Sequence, residues 1–173
     1  MYAKVKIAGH PLHPMLVGFP VALYTTAFGC FLAYALGAPA LWFQIGVYAN
    51  FGGVIMAAIA ALPGFVDWMF GIPSGTPAKA TGLMHMAANV SALIFFGLNL
   101  AMQWEHRLDH LPLAGLPVVL TGLGVVLTVV AGFFGWKMVQ KHHVGIDLTP
   151  EQERYEPRAP APRSEQTHQG QRV

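Results

Sequence analysis

Histidine side chains near the ends of apolar segments are the groups in this sequence best suited to chemistry. Five of the eight histidines occupy such positions: His10, His13, His85, His142 and His143. Imidazole nitrogens are ligands of haem iron and of zinc and copper ions. These histidines therefore predict a ligand-binding site, provided that the fold brings them together.

The elements that carry these histidines are four apolar blocks. Hydrophobic residues make up 54% of the 173-residue chain and charged residues 10%, against about 25% charged residues in soluble domains. Each block is close to the ~20 residues that a bilayer core requires. We predict an all-α integral membrane protein, an up-down bundle of four transmembrane helices at about 14–36, 40–66, 78–103 and 113–141. Pro20 should bend the first helix, and Pro63-Gly64 should break or kink the last turn of the second.

The chain after the fourth helix has a different composition. We predict a transmembrane domain over residues 1–147 and a disordered cytoplasmic tail over 148–173, because its last part is rich in Pro, Gln, Arg and Ser. Within that tail, Thr149 followed by Gln152 is the pattern of one short capped helix.

The distribution of basic residues predicts the orientation. Four helices place both termini on one side, which then holds nine of the ten Lys and Arg residues, while Arg107 is on the other side. Basic residues accumulate on the cytoplasmic side of bacterial membrane proteins. We therefore expect both termini in the cytoplasm and the protein in the bacterial inner membrane. The basic residues behind the net charge of +2 are thus explained by membrane orientation. This small net charge indicates no nucleic-acid partner.

This topology brings a titratable group from every helix to the predicted cytoplasmic half. His10 and His13 begin the first helix, Asp67 ends the second, His85 lies about two turns into the third, and His142 ends the fourth. An ionisable residue inside a membrane segment is costly and usually faces a bundle interior or a site. His85 is therefore the strongest single candidate, although a neutral histidine hydrogen-bonded across helices explains it equally well.

Three hypotheses fit this cluster. The first is b-type haem in an electron-transfer role, with His85 and either His142 or His13 as axial ligands. Asn89 shares a helix face with His85, and lysines at the same membrane surface would meet the haem propionates: Lys79, Lys137 and Lys141.

The second hypothesis is a zinc or copper site. Its ligands would come from five residues: His10, His13, Asp67, His85 and His142. The third is a scaffold without a cofactor, in which the histidines join helix ends and Asp67 pairs with Lys79 or Lys137. No nucleophile elbow, carboxylate pair or phosphate loop indicates an enzyme, and no internal repeat is visible that would suggest a transporter.

Several motifs together resemble a family of bacterial membrane proteins known as domain of unknown function 2231. The resemblance covers about residues 7–147, and its motifs are Gly9-His10-Pro11-Leu12-His13-Pro14, Pro63-Gly64-Phe65-Val66-Asp67-Trp68, His85 with Asn89, and Gly135 to Ile146. It places the family's recurrent polar residues at His10, His13, Asp67, His85 and His142. The family usually has glycine where this chain has His143.

The resemblance implies a redox setting, because some relatives are joined to Rieske-type or cytochrome-like domains. A redox protein of that kind is accordingly an expected partner beside the lipid bilayer, and a homo-oligomer is compatible with the sequence.

Overall fold

Four long helices dominate the computed structural model of the chain, which describes residues 3–110, 112–146 and 149–155. All four are long and apolar enough to cross a membrane, and each buries less than a third of its most apolar stretch inside the bundle. The remaining apolar side chains face outward, where a lipid bilayer would cover them. The prediction of four membrane helices is confirmed.

The first membrane helix is interrupted. It consists of α1 (Leu12–Leu16) and α2 (Gly18–Ala35), which are separated at Val17. Pro20 has no N–H to donate to the carbonyl of Leu16, so the helical ladder is broken here. The hydrogen-bonded ladder is thus interrupted one turn before Pro20, whereas the predicted bend stays a prediction.

The other three membrane helices agree closely with the predicted bounds. They are α3 (Ala40–Val66), α4 (Pro77–Gln103) and α5 (Gly115–Gln140). Helix α3 runs through Pro63 and continues as a π-helical turn, Asp67–Gly71, so the helix does not break at Pro63-Gly64. The alternative, a kink there, stays a prediction. Helix α4 begins at Pro77 because Thr76 caps it, its Oγ1 accepting from the backbone N–H of Lys79 at 3.2 Å.

Hydrogen bonds join neighbouring helix ends at both ends of the bundle. At one end, hydrogen bonds join the segment before the first helix to Asp67, and residue Thr81 near the start of α4 to His142 after α5. At the other end, the hydroxyl of Tyr34 donates to the carbonyl of Pro112, just before α5. We call the end that carries Asp67 and His142 the histidine end.

Short elements flank the bundle. A two-stranded hairpin, β1 (Lys6–Ile7) and β2 (His10–Pro11), precedes the first helix and turns through Ala8 and Gly9, both with positive φ. After the bundle, α6 (Pro150–Tyr155) occupies the place of the predicted short helix, and Thr149 and Gln152 exchange capping hydrogen bonds. The rest of the predicted disordered tail, 148 and 156–173, lies outside the described residues.

Candidate functional site

The side chain of His13 is fixed by the second membrane helix. Its Nδ1 lies 2.8 Å from the carbonyl oxygen of Ala60, and because a carbonyl can only accept, Nδ1 carries the proton. The ring also lies directly on Gly64, where an added Cβ would come 2.7 Å from Nδ1. In the neutral imidazole this leaves Nε2 as the nitrogen with a lone pair.

His85 is fixed in the same way by the fourth membrane helix. Its Nδ1 donates to the carbonyl of Ala131 at 2.8 Å, and its ring lies on Gly135, where a Cβ would come 3.1 Å from Cε1. The amide nitrogen of Asn89 donates to Nε2 of His85 at 3.1 Å and to its backbone carbonyl at 2.9 Å. The Nε2 atom thus acts as an acceptor, as expected for neutral histidine.

The two rings meet inside the bundle. The centroids of His13 and His85 are 6.1 Å apart, and their planes are nearly perpendicular at 87°. Both side chains are part-buried, whereas Asn89 is exposed. We call His13 and His85 the histidine pair. It draws on all four membrane helices, since two supply the rings and two supply the carbonyls.

His142 lies at the same end but is separately engaged. Its Nε2 is 3.0 Å from Oγ1 of Thr81, one helical turn before His85. Thr81 donates its own proton to the carbonyl of Pro77, so its oxygen accepts from His142 and Nε2 of His142 carries the proton. Burial, followed by the positive charges of Lys137 and Lys141, lowers the pKa of His142 below its usual range.

Asp67 and His10 have other contacts. One carboxylate oxygen of Asp67 accepts from the backbone N–H groups of Lys4 at 2.6 Å and Val5 at 2.9 Å, and so holds the segment before β1. His10 is exposed, and its Nδ1 donates to the carbonyl of Ala8 at 2.9 Å. In the described part of the chain, no three His, Cys, Asp or Glu side chains come together as a metal site would require.

Lys79 closes the connection between the second and third membrane helices. Its ammonium group donates to the carbonyls of Trp68, Met69 and Ile72 and lies 4.2 Å from the centre of the Trp68 ring. The indole N–H of Trp68 donates in return to the carbonyl of Lys79 at 3.0 Å. Lys79 therefore satisfies the last carbonyls of the second helix, which a helix end otherwise leaves without partners.

Sequence reasoning missed the residues that orient the histidine pair. Ala60 precedes Gly64 by four positions, as Ala131 precedes Gly135. A glycine at this spacing uncovers the carbonyl one turn before it, so that a neighbouring side chain can reach that oxygen. The Ala-x-x-x-Gly spacing was the available signal, but it also reads as an ordinary helix-packing pattern.

Comparison with known proteins gives one assignment. A family described as "Predicted membrane protein (DUF2231)" matches residues 9–148, a range that includes every residue of the histidine pair and its supports. The comparison with curated proteins found no match, and neither did the comparison with solved structures.

Proposed function

Because the chain belongs to the DUF2231 family of membrane proteins and is expected in a lipid bilayer, we propose that it binds b-type haem between His13 and His85. The single observation that carries the proposal is the spacing of the two rings. Two imidazoles that hold one metal ion from opposite sides, through bonds of about 2 Å, have centroids about 6 Å apart. The centroids of the histidine pair are separated by 6.1 Å.

The orientation of each ring supports the same proposal. Histidines that ligate metals almost always donate their other ring N–H to a carbonyl, a carboxylate or water, which fixes the tautomer and makes the ligating nitrogen more basic. His13 and His85 both donate Nδ1–H to a helix carbonyl at 2.8 Å. Their Nε2 atoms are thus the nitrogens suited to ligation.

A haem ligated by Nε2 of His85 would compete with Asn89 for this atom. Asn89 bonds Nε2 and would have to release it. Because Asn89 also bonds the carbonyl of His85 and is exposed, its amide can turn away and keep one partner. His142 is less suited to ligation through Nε2, since that atom carries a proton bonded to Thr81.

A bound haem would supply one-electron transfer, and the chain's own residues would orient it and exclude water. Lys137 and Lys141, in and just after the last turn of α5, are the candidates for the propionates, since Lys79 already bonds three carbonyls. From the basic residues we place the histidine end in the cytoplasm, where a Rieske-type or cytochrome domain would be a suitable partner.

An absorption spectrum of the detergent-purified protein, from cells supplied with haem and metals, tests the proposal. We expect a Soret band, a reduced α-band and about one haem per chain. His13→Ala and His85→Ala should abolish or shift these bands. His10→Ala is the matched control, because His10 is exposed and bonds only within its own turn.

The alternatives give different results. A colourless protein with stoichiometric zinc or copper by elemental analysis would replace haem by a metal site. A protein with neither would leave the histidines as structural links between helices, and the haem proposal would be abandoned.

A further inference from the structure

The contacts of the histidine pair occur twice in the same form. In each case a histidine donates Nδ1–H to an alanine carbonyl of the next membrane helix and lies on the glycine four residues after that alanine. The two sets are His13, Ala60 and Gly64, and His85, Ala131 and Gly135. The second histidine comes 72 positions after the first, and the second alanine and glycine come 71 positions after theirs.

Burial repeats at the same intervals. In the first and third membrane helices, buried positions 72 residues apart are Pro20 and Ala92, Tyr24 and Phe96, Ala27 and Asn99, and Phe31 and Gln103. In the second and fourth, buried positions 71 residues apart are Gly46 and Pro117, Asn50 and Thr121, Gly53 and Gly124, and Ala60 and Ala131. Every buried position of α5 thus has a buried counterpart in α3.

The centre of the bundle shows the same relation. The rings of Tyr24 and Phe96 stack on each other with centroids 3.6 Å apart and planes within 1°. A Cβ on Gly53 would come 2.7 Å from Cδ1 of Tyr24, and a Cβ on Gly124 would come 2.5 Å from Cε2 of Phe96. Each aromatic ring therefore lies on a glycine of the next helix and on its counterpart ring.

We infer that the four membrane helices are two copies of one two-helix unit, related by an approximate twofold axis that runs along the bundle between Tyr24 and Phe96 and between His13 and His85. Membrane proteins with repeats of the same orientation have such an axis along the membrane normal. The units are the first helix pair (residues 12–71) and the second helix pair (residues 77–140). Their residue types differ at most paired positions, which hides the repeat in the sequence.

The axis specifies how a ligand of the histidine pair is held. This part of the inference rests on the proposed function. A ligand on the axis would receive the same kind of bond from each unit, so His13 and His85 would together hold a metal porphyrin there. Once Asn89 has released Nε2 of His85, the two histidines would be equivalent ligands.

An exchange of paired residues in the full-length chain tests the repeat. If positions 24 and 96 are equivalent, Tyr24→Phe and Phe96→Tyr shift the unfolding temperature by equal and opposite amounts. The double exchange then returns to within about 1 °C of the wild type. The matched control combines Tyr24→Phe with Phe43→Tyr, which has the same composition but adds the hydroxyl at a fully buried ring without a counterpart.

We expect this control to unfold at least about 4 °C below the double exchange. The repeat would be overturned if the double exchange and the control unfold at the same temperature, well below that of the wild type.

Spectra of the histidine variants test the shared ligand. His13→Ala and His85→Ala should lose the same fraction of haem and give the same altered bands. If haem binds but the two variants differ, the histidines are not equivalent, although the proposed function stands. If the wild type binds no haem, the proposed function and the shared ligand both fail, while the exchange experiment still decides the repeat.

Discussion

Replacement of Gly64 by alanine should displace the ring of His13 and destabilise the protein. The new Cβ would lie 2.7 Å from Nδ1, whereas non-bonded atoms prefer about 3.5–4.0 Å, so the ring has to move by about 1 Å. A movement of that size stretches the 2.8 Å bond from Nδ1 to the carbonyl of Ala60 beyond hydrogen-bonding distance.

The magnitude follows from three contributions. Overpacking costs about 1–3 kcal/mol, and a buried polar group left without its partner costs about 1–3 kcal/mol. Alanine in place of glycine within a helix offsets about 0.5–1 kcal/mol of this. We expect Gly64→Ala to lower the free energy of unfolding by about 1–5.5 kcal/mol.

Two variants on the fourth helix serve as comparisons. Gly135→Ala should be milder, because its Cβ would lie 3.1 Å from Cε1 of His85 and a few tenths of an ångström of movement suffices. Gly132→Ala meets nothing within 4 Å and should stabilise the protein by about 0.5–1 kcal/mol.

Unfolding in mixed micelles, followed by tryptophan fluorescence and circular dichroism, measures all three variants. If Gly64→Ala is as stable as Gly132→Ala, the close contact with His13 has no energetic effect and the expected destabilisation is refuted.

Three further predictions concern the histidine end. The lowered pKa of His142 means that unfolding takes up a proton as pH falls below about 6.5. The stability that this group contributes is therefore complete above that pH and is lost as pH decreases. His142→Gln, which keeps an N–H donor, should reduce the difference between unfolding temperatures at pH 7.5 and pH 5; an unchanged difference would exclude His142 as its source. Asp67→Ala should increase tryptic cleavage after Lys4 severalfold, because both backbone contacts to the carboxylate are lost, whereas Asp67→Asn, which keeps an acceptor, should be cleaved less. Lys79→Met removes the charged donor to three carbonyls and should cost about 1.5–3 kcal/mol of unfolding free energy; Lys79→Arg should retain part of that stability.

The helices were predictable because the constraint on them is simple. A membrane segment needs a sufficient length of apolar residues, and the predicted bounds differ from the observed ones by two residues or fewer, except at the interrupted start of the first helix. A break at Pro63 was wrongly predicted because a proline removes only one hydrogen bond and this helix remains continuous without it. The hairpin at Lys6–Pro11 was missed because Ala8 adopts a positive φ of 49°, which is uncommon for a residue with a Cβ.

The histidine pair was predictable only in part. Topology placed His13 and His85 in the same half of the bundle, and the sequence named both as candidate ligands. It could not distinguish His13 from His142 as the partner of His85, because the rotation of each helix about its axis decides which side chains meet. Apolar residues predominate on every face of these helices, so their patterns contain little information on that rotation.

The hydrogen bonds that hold the two histidines also indicate an order of assembly. His13 is held by Ala60 and His85 by Ala131, and in each case both residues belong to the same helix pair. Contacts between neighbouring segments form sooner than contacts between distant ones. Each helix pair can therefore orient its own histidine first, and when the pairs associate, they bring together two imidazole rings that already have their final orientation.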